Sequence, residues 1–237
     1  MPFWQSFAEL RHSGAWWLSA LRYSIAVVVG LYLLNQVRKP SRWLGRPFLW
    51  MMNLSHSPLT DWGLQHVRID NDFHILDVGC GGGRTIQKLA ALAPHGRLFG
   101  VDYAPGSLAA SRARNRQLVD VGRVSIQEAS VSHLPFADNT FDLVTAVETQ
   151  YYWPDLAGDM REILRVLKPG GTLLVIAESY KQGSANALHR PVMKLLRSAN
   201  LSVEDQRALF SSAGYTNVEI FEEPAKGWIC VAGKKKE

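Results

Sequence analysis

Cysteine is scarce, with only Cys80 and Cys230 in 237 residues. That number excludes a disulfide-stapled scaffold and a metal-binding cysteine quartet, and it fits a reducing compartment. No metal ligands are expected. Long runs of one charge are also missing. The chain carries a net charge of +5 and a pI near 9.3, but the excess is spread over Arg38–Arg46, the Arg112/Arg114/Arg116 cluster and Lys234–Lys236. No nucleic-acid-binding signature accompanies these clusters, so nucleic acid is not an expected partner. Internal repeats and low-complexity stretches are absent. No small-residue cleavage site follows the first apolar stretch, which argues against a removed signal peptide.

What is present is the composition of a chain that buries a core, 47% apolar and 20% charged. Its most apolar stretch is Ala15–Leu34, with 16 apolar residues of 20 and Arg22 as its one charge. Twenty residues match the thickness of a bilayer core. Trp16 and Trp17 stand at one end, and Arg38, Lys39, Arg42 and Arg46 follow the other, which orients the remainder of the chain toward the cytoplasm. Two readings stay open: an anchor on the cytoplasmic face of a membrane, or cap helices folded over a pocket. Pro40–Asp70, rich in Trp, Pro and Gly, reads as short helices joined by turns. His56-Ser57-Pro58 reads as a break, and Thr60-Asp61 as the cap of a helix over Trp62–Arg68. Residues 1–70 are thus expected to form an N-terminal helical extension.

From residue 71 onward the pattern changes. Ile75, Leu76 and Val78 form a short apolar run that ends in Gly79, Gly81, Gly82 and Gly83, and an amphipathic helix follows from Arg84 to Ala93. A strand, a tight turn and a helix N-terminus together hold nucleotide-like ligands in α/β proteins. Strands are then predicted over Arg97–Asp102, Arg123–Glu128, Phe141–Glu148 and Gly171–Glu178. They alternate with helices over Pro105–Val121, whose basic cluster lies on a solvated face, and Asp155–Lys168. Further on, Asn186–Asn200 reads as a basic amphipathic helix and Val203–Ala213 as another helix. Only Glu223–Gly227 separates the last two strands, Thr216–Glu222 and Trp228–Lys234, so they must pair as an antiparallel hairpin. The fold expected for 71–237 is α/β, a Rossmann-like doubly wound seven-stranded sheet, mostly parallel, with an antiparallel C-terminal hairpin.

A dinucleotide site asks for G-x-G-x-x-G/A, and the third position here is Arg84. What stands instead is Asp77-x-Gly79-x-Gly81-x-Gly83. With Val101–Ala104, Leu134–Val144 and Leu167–Leu173, this resembles the class I S-adenosylmethionine-dependent methyltransferases. The likeness extends from about Phe73 to Lys234 and is strongest to the branch of quinone C-methyltransferases and small-molecule enzymes. The resemblance implies S-adenosylmethionine as cofactor and S-adenosylhomocysteine as product. It implies that Asp77 orders the loop and faces the cofactor's amino group, and that Gly79, Cys80 and Gly81 pass close to the methionine and ribose. Asp102 accepts both ribose hydroxyls and Tyr103 flanks the adenine. Where the family commonly has an acid near the adenine amino group, this chain has Ser130, followed by Val131.

Methyl transfer from a sulfonium is an in-line displacement that depends on positioning and on excluding water. The acceptor is expected to be a small or lipid-like molecule. Candidate catalytic residues are Glu148, which also lies beside the sulfonium, Tyr151, Tyr152 and His56. Tyr151–Trp153 forms an aromatic run suited to an apolar or cationic acceptor, or to packing beneath the N-terminal cap. Glu178, Tyr180 and His133 lie nearby in the chain. Two other functions remain open: a module that binds S-adenosylmethionine without turnover, and a nicotinamide-dependent oxidoreductase. No feature of the sequence fixes an oligomeric state.

Overall fold

In the computed structural model, residues 57–178 and 201–237 are described, together with Leu21, Tyr23 and Ser24 as isolated helical positions. Ala15–Leu34 otherwise lies outside the described residues, as do His56, Tyr180 and Asn186–Asn200. Among the described residues no helix is long and apolar enough to cross a membrane.

A seven-stranded sheet organises the fold, in the order β3-β2-β1-β4-β5-β7-β6. Its strands are β1 His74–Val78, β2 Arg97–Asp102, β3 Val124–Glu128, β4 Phe141–Val147, β5 Leu167–Glu178, β6 Thr216–Glu223 and β7 Trp228–Lys234. β1 to β5 pair in parallel, whereas β7 runs antiparallel to both β5 and β6. The short connection had already required the antiparallel β6–β7 hairpin. The helices are α1 Ser57–Leu64, α2 Arg84–Leu92, α3 Pro105–Arg114, α4 Arg116–Asp120, α5 Leu156–Val166 and α6 Val203–Ala213.

Alternation along the strands distributes the core between two faces. Ile75, Leu143, Leu174, Ile176 and Cys230 pack with Leu59, Ile86, Leu89 and Leu108 of α1, α2 and α3. Their neighbours Leu76, Val144, Val175 and Val231 pack with Met160, Ile163 and Phe210 of α5 and α6. Helices therefore cover both faces, as a largely parallel sheet requires. Each fully buried Leu or Ile contributes about 1.5–3 kcal/mol through removal from water.

Local chemistry sets the helix ends. Asp155 caps α5 by accepting from Gly158 N–H at 3.1 Å, and Asp159 accepts from Asp155 N–H at 3.1 Å. Ser202 and Asp205 form a reciprocal capping box on α6, which ends at Gly214 with φ 101°.

Two helix boundaries differ from expectation. His56 and the apolar stretch before it lie outside the described residues; α1 begins at Ser57, where proline suits a first turn whose N–H groups have no helical acceptor anyway. Thr60 and Asp61 lie inside α1, which ends at Leu64 instead of running on to Arg68. α1 crosses β5 so closely that a Cβ on Gly63 would fall 2.5 Å from Ile176 Cδ1, and Asp61 forms an ion pair with Lys88 of α2. Pro105–Val121 is likewise two helices, not one. Asn115 separates them, its side chain turned to donate to Ser111 O and Gly83 O.

Candidate functional site

The expected cofactor residues lie at the carboxyl ends of the neighbouring parallel strands β1, β2, β3 and β4. Gly79, Gly81 and Gly83 all have positive φ, at 71°, 49° and 74°. At Gly79 the requirement is double: beyond its backbone, a Cβ would fall 2.3 Å from Thr149 Oγ1. The loop that follows β4 therefore lies directly against the glycine loop. Gly79 and Cys80 both donate to Val101 O, at 2.8 and 3.0 Å, which fastens the turn to β2. The Cys80 side chain points the other way, into the core beside Ser111 and Gly100. Burial pushes its thiol pKa well up, with Asp77 and Asp102 adding to the effect. Only the Cys80 backbone is placed to face a ligand.

Asp102 ends β2 with both carboxylate oxygens engaged. Oδ2 accepts from Gly81 N–H at 3.0 Å and Oδ1 from Ala104 N–H at 2.8 Å. Tyr103 N–H adds a third backbone donor, and a carboxylate with roughly four lone-pair sites is an acceptor-only group of the kind that hydroxyl donors seek. Burial raises its pKa, and the backbone N–H groups of Ala104, Gly81 and Tyr103 oppose that rise. Tyr103 is exposed beside it. Ser130 is exposed and its Oγ accepts from Ser132 N–H at 3.2 Å, while Val131 is buried against the core.

Asp77 is 2% exposed. Its Oδ1 accepts from the Thr145 hydroxyl at 2.7 Å, and Thr145 lies directly across from it in the β1–β4 register. Burial pushes the Asp77 pKa up to about 7, helped by the Asp102 charge and opposed by the Thr145 hydrogen bond.

Glu148 follows β4 at φ 56°, a conformation that residues with a Cβ adopt reluctantly and that is concentrated at functional positions. Its Oε1 accepts from Glu178 N–H and lies 2.8 Å from the Tyr151 hydroxyl, which is also in reach of Glu178 O. The phenol has one proton. When it donates to Glu178 O, the contact with Glu148 is a hydrogen bond only if Glu148 carries a proton and donates in turn. Burial favours that state, pushing Glu148 up to about 8 and Tyr151 well above its usual range. Tyr151 accordingly stays protonated and is a poor base. The Glu178 carboxylate accepts from Trp228 Nε1–H at 3.0 Å.

Of the aromatic run after β4, Trp153 is buried in the core and does not line an open wall. Tyr152 is half-buried and packs edge-on to Tyr151, with ring centroids 5.9 Å apart. His133 is exposed in the turn after β3. Sequence reasoning missed Thr145, Thr149 and Asn115. Thr145 was discoverable from register once β1 and β4 were known to be neighbours. It also missed Gln150 and Gln206, which are buried and joined by a 2.8 Å hydrogen bond from Gln206 Nε2 to Gln150 Oε1.

Residues 76–175 match the family described as "Methyltransferase domain". The demethylmenaquinone methyltransferase of Lactiplantibacillus plantarum is 35% identical over 117 residues, 49% of each chain. Methyltransferase GfsG of Streptomyces halstedii is 30% identical over 167 residues, 68% of this chain and 59% of that protein. The chain spans about half the length of the curated relatives it matches. Among solved structures, a Haloferax volcanii methyltransferase in complex with the Trm112 activator superposes with TM-score 0.71 at 20% identity, covering 82% of this chain and 96% of that one. Geranyl diphosphate C-methyltransferase from Streptomyces coelicolor A3(2), in complex with S-adenosyl-L-homocysteine, gives 0.65 at 15% identity, covering 76% of each. At these identities the structures establish a shared fold.

Proposed function

We propose that the chain is a class I S-adenosylmethionine-dependent methyltransferase that transfers a methyl group from S-adenosylmethionine to a small-molecule or lipid-like acceptor. The observation that carries this reading is Asp102. Its carboxylate ends β2 against the glycine loop, held there by backbone N–H groups of Gly81 and Ala104, and presents an acceptor-only group where the loop would pass a ribose diol. Asp77 and Gly79–Gly81 take the methionine part of the cofactor, and Tyr103, Ser130 and Val131 the adenine side.

In the transfer, the acceptor atom forms a bond to the methyl carbon as the carbon–sulfur bond breaks. The electron pair returns to sulfur, and S-adenosylhomocysteine leaves as a thioether. Much of the rate comes from alignment and from exclusion of water. An acceptor that must lose a proton delivers it to the ionised form of Glu148, which burial makes the minority form at neutral pH and which grows as pH rises toward 8. Tyr151 orients Glu148. Tyr152 is assigned to the acceptor side, and His56 remains a catalytic candidate from the sequence alone. Named relatives include a sterol 4-C-methyltransferase of Caenorhabditis elegans besides the demethylmenaquinone enzymes, which supports an apolar acceptor. Ser130 favours a second reading, a module that binds without turnover, because an acid commonly fills that position in the family.

A transfer assay with methyl-labelled S-adenosylmethionine against quinols, phenols, amines, thiols and lipids tests the proposal. Label in at least one product supports it. Binding of the cofactor with no labelled product across the panel favours the module instead. We assign the catalytic part to the cytoplasm, attached to the membrane face through Ala15–Leu34. Deleting residues 1–37 is then expected to release the protein from sedimented membranes, and a truncated chain that still sediments would refute the anchor.

A further inference from the structure

Resting on the cofactor reading above, we propose that Arg114 and Asn115, where α3 ends, are positioning residues for methyl-donor binding that hold the second half of the glycine loop from behind. Neither is part of the glycine motif, and both lie more than two dozen residues further along the chain. Arg114 Nε donates to Gly82 O at 3.0 Å, and Asn115 Nδ2 donates to Gly83 O at 2.9 Å. Two consecutive loop carbonyls are thus tied to one helix end.

Steric contact reinforces these bonds. Asn115 and Ser111 are both buried, and a Cβ on Gly83 would fall 2.4 Å from Ser111 Oγ and 2.6 Å from Asn115 Nδ2. The α3 terminus is therefore a mould against which Gly83 sits at φ 74°. The same Asn115 amide donates to Ser111 O at 3.0 Å, which braces the side chain against its own helix.

Peptide planarity carries the effect to the ligand side. A trans peptide points its carbonyl and the following N–H in opposite directions. Fixing Gly82 O aims Gly83 N–H at Cys80 O, 2.9 Å away, and closes the turn. Fixing Gly83 O, which also accepts from Gln87 N–H at 3.2 Å, turns the first N–H of α2 away from Asn115. That N–H has no intrahelical acceptor. Val101 and Asp102 hold Gly79, Cys80 and Gly81 from the β2 side, so α3 supplies the opposing half of the grip. The break between α3 and α4 also acquires a purpose. The chain interrupts a helix where asparagine's amide is committed to the loop, and such departures from local preference concentrate at functional positions.

Calorimetric titration of S-adenosylhomocysteine into the full chain tests this, with wild type compared against Arg114→Ala, Asn115→Leu and Arg116→Ala. Backbone hydrogen exchange of residues 79–84 is followed in parallel. We expect the dissociation constant to rise at least fivefold in Arg114→Ala and at least tenfold in Asn115→Leu. Exchange in 79–84 should quicken while β1 and β4 keep their protection. Arg116→Ala, whose guanidinium faces Asp120 on the surface at 3.6 Å, should bind as wild type does. Arg114 is exposed, so its variant decides the question even if Asn115→Leu fails to fold. Binding within twofold of wild type in Arg114→Ala, with unchanged loop exchange, overturns the proposal. So does an affinity loss matched by lost protection throughout the sheet, which would make these residues merely structural. A wild-type protein that binds no S-adenosylhomocysteine overturns the cofactor reading as well, a result distinguishable from the first.

Discussion

Asp77 should make cofactor affinity depend on pH across the neutral range. The carboxyl is buried, its pKa is pushed up to about 7, and the proposed ligand brings an ammonium group to it. With that pKa the fraction ionised is about 9% at pH 6 and about 91% at pH 8, roughly a tenfold difference. If the carboxylate is the form that meets the ammonium, the apparent dissociation constant of S-adenosylmethionine falls about fourfold between those pH values, the α-amino group's own loss of its proton near pH 8 offsetting part of the gain.

The free protein should respond in the opposite sense. A carboxyl whose folded pKa lies above its unfolded value binds its proton more tightly when folded. The stability it confers is therefore present at low pH and lost as pH rises from about 4 to about 7, by up to about 4 kcal/mol. Titration calorimetry at half-unit intervals from pH 6 to 8, on wild type, Asp77→Asn and Glu148→Gln, reads the binding effect directly. Asp77→Asn should bind more weakly and without the slope. Glu148→Gln should retain the part of the slope that belongs to Asp77. A flat wild-type profile, or a slope that survives intact in Asp77→Asn, would refute the assignment.

Other substitutions probe the same architecture. Asp102→Ala removes the acceptor for Gly81 N–H and Ala104 N–H as well as the proposed diol contact; cofactor binding should weaken by about 1.5–3 kcal/mol, read by calorimetry, and an unchanged affinity would remove Asp102 from the site. Gly79→Ala places a Cβ against Thr149 at a positive φ; thermal melting should show a loss of about 1–3 kcal/mol, partly restored when Thr149→Ala is added. Arg123→Met removes the guanidinium that donates to Ala90 O in the last turn of α2 and to Ala93 O and Gly96 O just past it; urea denaturation should register a loss of about 1.5–3 kcal/mol.

Much of this structure was legible in local chemistry. β2, α6 and β7 carry clear apolar patterns between turn residues, and their boundaries agree with those read from the chain. The closing hairpin followed from connection length alone. What escaped was whatever depends on contacts distant in sequence. The helix break at Asn115 looks unremarkable until Gly83 is placed behind it, because helix propensity does not record a bond to a loop thirty residues earlier. Arg112 and Arg114 do face solvent, yet their head groups reach back to Ile126 O and Gly82 O. A side chain with a long stem can do both. Trp153 read as part of an aromatic run suited either to an acceptor or to packing, and it belongs to the core, since the turn of Gln150–Tyr152 directs it inward. Glycine spacing marked the loop and Asp102 its partner, whereas the register that pairs Asp77 with Thr145 appears only once β4 is known to lie beside β1.

The account rests on the glycine loop and Asp102 holding a sulfonium cofactor and not a dinucleotide. Competitive calorimetry with S-adenosylmethionine, S-adenosylhomocysteine and NAD on the full chain tests this most directly. The prediction is one S-adenosylmethionine or S-adenosylhomocysteine per chain, lost or strongly weakened in Asp102→Ala, and not displaced by NAD. Tighter binding of NAD than of S-adenosylmethionine would contradict it.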